Sequence, residues 1–124
     1  MSHSATTDRR TLNPFDVMRG SRTLAPHDPN LNDTRWLIGE SLRRAYERAL
    51  LSNEACERVC GRHAWPIVVA IVIDGKGVRD CRKHVPEVVT PWRADAIITD
   101  RLRVALDAIG PLLGVTAPVK TAAE

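Results

Sequence analysis

The stretch from Lys76 to Arg103 carries the side chains with the most evident chemistry in this sequence. It holds seven cationic side chains and four carboxylates, an excess of three positive charges. Cationic side chains bind phosphate oxygens, and each phosphate that they neutralise adds salt-dependent affinity through counterion release. The composition therefore indicates a polyanion as partner, with a solvated surface as the alternative. The seven cations are Lys76, Arg79, Arg82, Lys83, Arg93, Arg101 and Arg103.

The middle of this stretch has the spacing of a short amphipathic helix. In an α-helix, Arg79, Arg82 and Lys83 would lie at i, i+3 and i+4 on one face. Val78, Cys81 and Val85 would form the opposite, apolar face. The spacing predicts a helix that is packed on one side and presents cations on the other.

Two Cys-x-x-His pairs, Cys60/His63 and Cys81/His84, offer a second kind of chemistry. Together they could supply four tetrahedral zinc ligands, and Cys56 could replace one of them. Free cysteines also pack as small hydrophobic residues, and neither pair sits on a flexible knuckle. We expect core cysteines and no metal, with zinc at these four residues left open.

No catalytic or cofactor signature accompanies these residues. The cysteines lack an evident oxyanion donor or orienting group. The turn Gly75-Lys76-Gly77 lacks the other residues of a phosphate-binding loop. We therefore expect a protein that is not an enzyme and that binds no cofactor.

The composition limits where such a protein acts. A chain of 124 residues with a net charge of +3 and a pI near 9.1 is the size of one domain and is mildly basic. Its N-terminus has no secretory signal, and its three cysteines are an odd number. The longest apolar run, from Ala64 to Ile73, is half of what a membrane span needs. We expect a cytoplasmic protein that does not enter a membrane.

The element pattern predicts an all-α domain. Residues 1–31 lack a sustained period and are expected to form a flexible arm. Within it we expect one helical turn, capped by Asn13 with Pro14 at its first position, that docks onto the body through Phe15, Val17 and Met18. Asp33 is the expected cap of a helix over residues 34–51, and Ser52 that of a helix over residues 53–62.

The segment from Pro66 to Ile73 can be read in two ways. Its β-branched residues favour a strand, whereas Pro66 fits the first turn of a helix. No strong strand exists to pair with it, and an unpaired strand leaves its backbone unsatisfied, so we predict a helix. The turn from Asp74 to Gly77 should end it.

The last helix should begin at Thr90-Pro91, with Thr90 as its cap, and stop at Gly110-Pro111. Beyond it, residues 112–124 are expected to be a tail. The predicted organisation is thus an arm over 1–31, a compact domain of about five helices over 32–111, and the tail.

Residues 65–114 resemble the helix-turn-helix of regulators of the sigma-factor region 4 type. The likeness rests on Asp74-Gly75-Lys76-Gly77-Val78-Arg79 and on Arg101-Leu102-Arg103-Val104-Ala105-Leu106. In that family a Gly-containing turn precedes a scaffold helix, and the next helix enters the major groove. Here the segment from Val85 to Pro91 is longer than the family's tight turn.

The resemblance implies two sets of DNA-binding residues. The base-facing set would be Trp92, Arg93, Asp95, Ala96 and Thr99. The phosphate-holding set would be Lys76, Arg79, Arg82, Lys83, Arg101 and Arg103.

Residues 13–50 are similar, more weakly, to the opening of an uncharacterised domain in alphaproteobacterial phage-like and gene-transfer-agent regulators. That likeness rests on Asn13-Pro14-Phe15 and on the run from Gly39 to Ala49. A further cysteine-containing helix of that domain is missing here.

From these features we expect a sequence-specific regulator of transcription, of bacterial or phage origin, that binds double-stranded DNA. RNA polymerase is left open as a further partner, and so is the oligomeric state. The alternative is a small protein-interaction module, an adaptor or inhibitor that binds a partner through the amphipathic helix over residues 34–51.

Overall fold

The computed structural model describes residues 13–115, and this part of the chain is all α-helical, with no strand, as predicted. The helices form a single compact domain around one hydrophobic core. The segment from Pro66 to Ile73 is helical, which settles the choice between helix and strand. The elements that follow it, a short helix, a loop and a long helix, come in the predicted order.

Three α-helices form the first half of the domain. Helix α1 spans Pro14–Gly20, α2 spans Pro29–Glu47 and α3 spans Asn53–Cys60. Asn13 and Ser52 cap α1 and α3 with their side chains, as predicted. Each cap accepts a hydrogen bond from a backbone N–H that has no partner within the helix.

The bounds predicted for α2 were wrong at both ends. Asp28, not Asp33, is the cap, and its Oδ1 accepts a hydrogen bond from the backbone N–H of Leu31 at 3.1 Å. Pro29 then occupies the first helical turn, where its missing N–H costs nothing. At the other end Ala49 adopts a positive φ of 58°, and the N–H of Leu50 bonds to the Ala45 carbonyl at 2.8 Å. This bond closes the helix before residue 51.

The predicted flexible arm does not hold for residues 13–31. Phe15 in α1 and Leu24 in the following turn are 2% and 0% exposed. Residues 21–28, called the clamped segment below, run between α1 and α2 without regular structure. They are held by side chains from distant helices, which a search for local periodicity does not reveal. Residues 1–12 lie outside the described part of the chain.

The second half begins with α4 (Trp65–Val68), which continues as a π-helix over Val69–Ile73. Its end depends on Gly75, whose φ is +74° and which lets the Lys76 N–H bond to the Ala70 carbonyl at 2.8 Å. Glycine adopts this left-handed conformation without the steric penalty that a Cβ brings. The turn from Asp74 to Gly77 thus ends the helix as predicted.

The next element, Val78–His84, is a 3₁₀-helix and is called the short helix below. The Gly77 N–H donates to the Asp80 carboxylate at 2.9 Å and fixes its start. Cys81 and Val85 are fully buried, which confirms the predicted apolar side. The α-helical geometry was wrong, and with three residues per turn Arg79 and Arg82 align while Lys83 lies about a third of a turn away.

Helix α5, Pro91–Ile109, lies at the centre of the core, and α2, α3, α4 and the short helix all pack against it. It begins and ends where predicted, although the Thr90 side chain makes no capping hydrogen bond. A 3₁₀-turn, Gly110–Leu113, follows, and the Val115 N–H bonds back to the Gly110 carbonyl at 2.9 Å. The predicted tail therefore starts later than residue 112, and residues 116–124 lie outside the described part.

Candidate nucleic-acid interface

Helix α5 has one buried side and one exposed side. Its buried side chains recur at helical spacing and are Ala94, Ile98, Leu102, Ala105, Leu106 and Ile109. The opposite side is solvent-exposed and is called the outward strip below. Its members, at steps of three and four residues, are Arg93, Ala96, Asp100 and Val104. A partner that approaches α5 from solvent meets these four side chains first.

The short helix is tied to the first turns of α5 by an ion pair between Arg82 and Asp95. Arg82 Nε and Nη2 donate to the two carboxylate oxygens of Asp95, both at 2.7 Å. Such a bidentate pair fixes orientation as well as distance. The hydrogen bonds from Arg82 lower the pKa of Asp95, and those to Asp95 raise the pKa of Arg82.

This ion pair is inconsistent with the roles predicted for Arg82 and Asp95. The Arg82 guanidinium was expected to hold a phosphate, and Asp95 to face base edges. The two charges neutralise each other, and the side chain of Asp95 points to the short helix. We therefore reassign both residues to holding the short helix against α5.

Two other predicted residues also serve the fold. The Thr99 hydroxyl donates to the Asp95 carbonyl one turn earlier at 2.8 Å, so it is turned away from the outward strip. Arg103 Nε donates to the Thr23 carbonyl at 2.9 Å, and Nη2 donates to the same oxygen. The base-facing role of Thr99 and the phosphate role of Arg103 are therefore not supported by where their side chains lie.

Five of the seven predicted cations have no ion-pair or hydrogen-bond partner in the described structure, and the fifth, Arg101, is partly buried. The four exposed ones are called the cationic patch: Lys76, Arg79, Lys83 and Arg93. All four are exposed, and none has an ion-pair or hydrogen-bond partner for its side chain within residues 13–115. Arg79 lies close enough to α5 to lower the pKa of Asp95 by its charge. The short helix therefore places Arg79 near the N-terminal half of α5.

Trp92 lies next to this patch in the first turn of α5. Its side chain is 68% exposed, and the Arg93 guanidinium carbon lies 5.6 Å from its ring centroid. Val89, in the preceding loop, is 89% exposed. A large aromatic side chain this far from the core contributes little to folding, so it is available to a partner.

The other flank of α5 faces the end of α3 and the turn after it. A shallow cleft of about 270 Å³ lies there, lined by Cys60, Gly61, His63, Ala64, Asp100, Arg101 and Val104. Arg101, predicted to hold phosphate, is partly buried in this wall and lies away from the short helix. The cleft could not be predicted from the sequence, because the residues of its two walls are about 40 positions apart in the chain.

The cysteines face the core. Cys81 Sγ lies 3.8 Å from the Gly77 carbonyl, and Cys60 Sγ lies 4.0 Å from that of Ala105. Burial raises the pKa of Cys60 to about 12 and that of Cys81 to about 11, so both are neutral thiols near pH 7. Neutral thiols are poor nucleophiles and poor metal ligands. Within residues 13–115, no three His, Cys, Asp or Glu side chains gather as a metal site would require.

The chain matches no protein-family model, no curated protein and no solved structure. No helix within residues 13–115 is both long and apolar enough to cross a membrane. The features of the described structure that bear on function are therefore the cationic patch, Trp92 and the outward strip.

Proposed function

We propose that this chain is a sequence-specific, double-stranded DNA-binding regulator of transcription, of bacterial or phage origin, that acts in the cytoplasm without enzymatic activity. The observation that carries the proposal is the cationic patch, which lies beside the exposed first turn of a 19-residue helix. The regulatory role and RNA polymerase as a further partner rest on the resemblance to sigma-factor region 4 type regulators. The bacterial or phage origin rests on the weaker resemblance of residues 13–50 to a domain of alphaproteobacterial phage-like and gene-transfer-agent regulators.

The cationic patch supplies the affinity in this proposal. Arg35, Arg82 and Arg103, which contact α5 or the clamped segment, already have acceptors. Lys76, Arg79 and Lys83 have none within the described residues. Free cations on one element can each displace a counterion from the DNA backbone. They hold the protein on the duplex without selecting a sequence.

The first turn of α5 supplies the specificity. Arg93 begins the outward strip, and an arginine reads guanine by donating to O6 and N7 in the major groove. Trp92, beside it, offers an apolar face to a thymine methyl group or to a sugar. The ion pair between Arg82 and Asp95 sets how the phosphate-binding short helix stands relative to this turn.

The adaptor alternative loses its expected docking surface. Ile38 and Leu42, the centre of the apolar face of α2, are 1% and 0% exposed and belong to the core of this domain. Val89 and Trp92, exposed apolar residues before and at the start of α5, offer a protein partner a different surface.

Binding of the full chain to a labelled DNA duplex, followed by fluorescence anisotropy over a range of salt concentrations, tests the proposal. We expect tight binding at low salt and a linear loss of log affinity with log salt. An apolar docking surface would be nearly indifferent to salt. Absence of binding to any duplex at low salt would overturn the proposal and leave the exposed Val89 and Trp92 as a protein-docking surface.

A further inference from the structure

The outward strip of α5 carries an acidic residue, Asp100, although a carboxylate does not add to the affinity of a surface for DNA. Asp100 is exposed and has no hydrogen-bond or ion-pair partner within the described residues. It lies seven residues after Arg93, nearly two helical turns, and so on the same side of the helix. Its neighbours on the strip, Ala96 and Val104, cannot neutralise it.

The contacts of α5 on its two flanks place the strip between two packed elements. On one flank, Asp95 bonds to the short helix. On the other, the Ala105 carbonyl meets Cys60 at the end of α3, and Arg101 lines the cleft there together with Asp100 and Val104 at the edge of the strip. A duplex that approaches the cationic patch and the first turn of α5 would therefore meet Arg93, Ala96 and Asp100 with the edges of its bases.

We propose that Asp100 is a specificity-determining residue that accepts a hydrogen bond from the amino group of a cytosine in the major groove. This inference rests on the proposed function. A carboxylate is repelled by phosphates, so it lowers affinity for DNA unless a base amino group meets it. Cytosine itself presents only its N4 amino donor in the major groove, whereas adenine places its own N7 acceptor next to N6.

The spacing limits where this base lies. Seven residues of an α-helix extend about 10.5 Å. Stacked base pairs are about 3.4 Å apart, so the cytosine lies within roughly three base pairs of the base that Arg93 reads. Ala96, between the two, can contact only apolar groups such as a thymine methyl.

Selection from a random duplex library, run separately with each full-length variant, tests the inference. The substitution Asp100→Asn keeps the size of the side chain and replaces the carboxylate by an amide, which pairs with adenine N6 and N7. We expect the preferred base at a single position to change from cytosine to adenine, by about tenfold in relative affinity. Asp100→Glu keeps the carboxylate and should keep cytosine.

Glu54→Gln is the matched control, because Glu54 is an exposed carboxylate on α3 without a partner in the described structure. It should select the parental sequence. If the parent enriches a sequence and Asp100→Asn enriches the same one, the inference about Asp100 is wrong while the proposed function stands. If the parent enriches no sequence, both fall. Thermal unfolding of each variant verifies that it is folded.

Discussion

Two arginines of α5, Arg103 near its C-terminal end and Arg93 in its first turn, are used in opposite ways. In the C-terminal half, Arg103 donates to the Thr23 carbonyl, and Asp107 receives two hydrogen bonds from Arg35 of α2. In the N-terminal half, Arg93 and the nearby Arg79 have no acceptor within the described residues. The residue type is the same, and what differs is whether the fold places an oxygen within reach. Arginines that the fold satisfies stabilise it, and those left free are available to an external anion.

The clamped segment shows why the fold needs arginines whose hydrogen bonds are satisfied within it. Irregular backbone that packs against a core must find partners for its N–H and C=O groups. Arg103 and Arg35 donate to the carbonyls of Thr23 and Leu24. Asn32 Oδ1 accepts from the N–H groups of Leu24 and Ala25, at 3.1 and 3.2 Å. Three side chains from two helices thus replace the hydrogen bonds that a regular element would supply.

The largest loss of stability is expected at Asn32, the most buried of the side chains that hold the clamped segment. Asn32 is 2% exposed, and Asn32→Ala leaves the N–H groups of Leu24 and Ala25 without their partner and removes one of the hydrogen bonds to the Arg19 carbonyl. Each buried group that loses its hydrogen bond costs roughly 1–3 kcal/mol, so we expect a loss of about 3 kcal/mol in the free energy of unfolding. Urea denaturation measures it.

Asn53→Ala is the control for this substitution, because Asn53 is exposed at the start of α3. It should stay within about 0.5 kcal/mol of the parent. Equal losses for the two variants would show that the clamp does not stabilise the domain as described.

A pair of substitutions on α5 compares the two groups of arginines directly. Arg103→Met removes the hydrogen bonds to the Thr23 carbonyl and should cost about 2 kcal/mol in the free energy of unfolding. Arg93→Met removes an exposed arginine without such a bond and should cost less than about 0.5 kcal/mol. DNA affinity at a preferred site should show the reverse order, with Arg93→Met the weaker binder. If one variant had the larger loss in both stability and DNA affinity, the assignment of Arg103 to the fold and Arg93 to DNA would be contradicted.

The smallest expected effect is that of the ion pair between Arg82 and Asp95 on the pH dependence of stability. Because Arg82 lowers the pKa of Asp95 in the folded state, the pair stabilises the fold above the unfolded pKa of about 3.9. This contribution is lost as the pH falls through the lower pKa of the folded state. Asp95→Asn should therefore lose less stability than the parent when urea denaturation is moved from neutral to strongly acidic pH. Both partners are about one-third exposed, so the difference should be small. Identical pH profiles would count against the pair.

The parts of the fold that local signals encode could be predicted from the sequence. Asn13-Pro14 and Ser52 mark helix starts, because Asn13 and Ser52 act through backbone groups a few residues away. The same kind of start, Asp28-Pro29, was missed because the surrounding prolines suggested a loop. Attention to the cap and proline together would have found it.

What could not be predicted depends on contacts that are distant in sequence. The bond from Arg103 to Thr23 joins residues 80 positions apart, and no local pattern indicates it. The exposure of Arg79, Lys83 and Arg93 followed from the apolar stripes opposite them. That Arg82 would be held by Asp95 did not, because a 3₁₀-helix changes which side chains align and the loop after it sets which acid they meet.

The most direct test of the central claim compares two double variants in the salt dependence of duplex binding. Replacing Arg79 and Lys83 by Gln removes two charges from the cationic patch, and replacing Arg44 and Arg48 by Gln removes two exposed arginines from the end of α2. We expect the slope of log affinity against log salt to fall by about two when Arg79 and Lys83 are replaced. The slope should be unchanged when Arg44 and Arg48 are replaced. Equal slopes for both variants and the parent would contradict the claim that the free cations of the short helix bind phosphate.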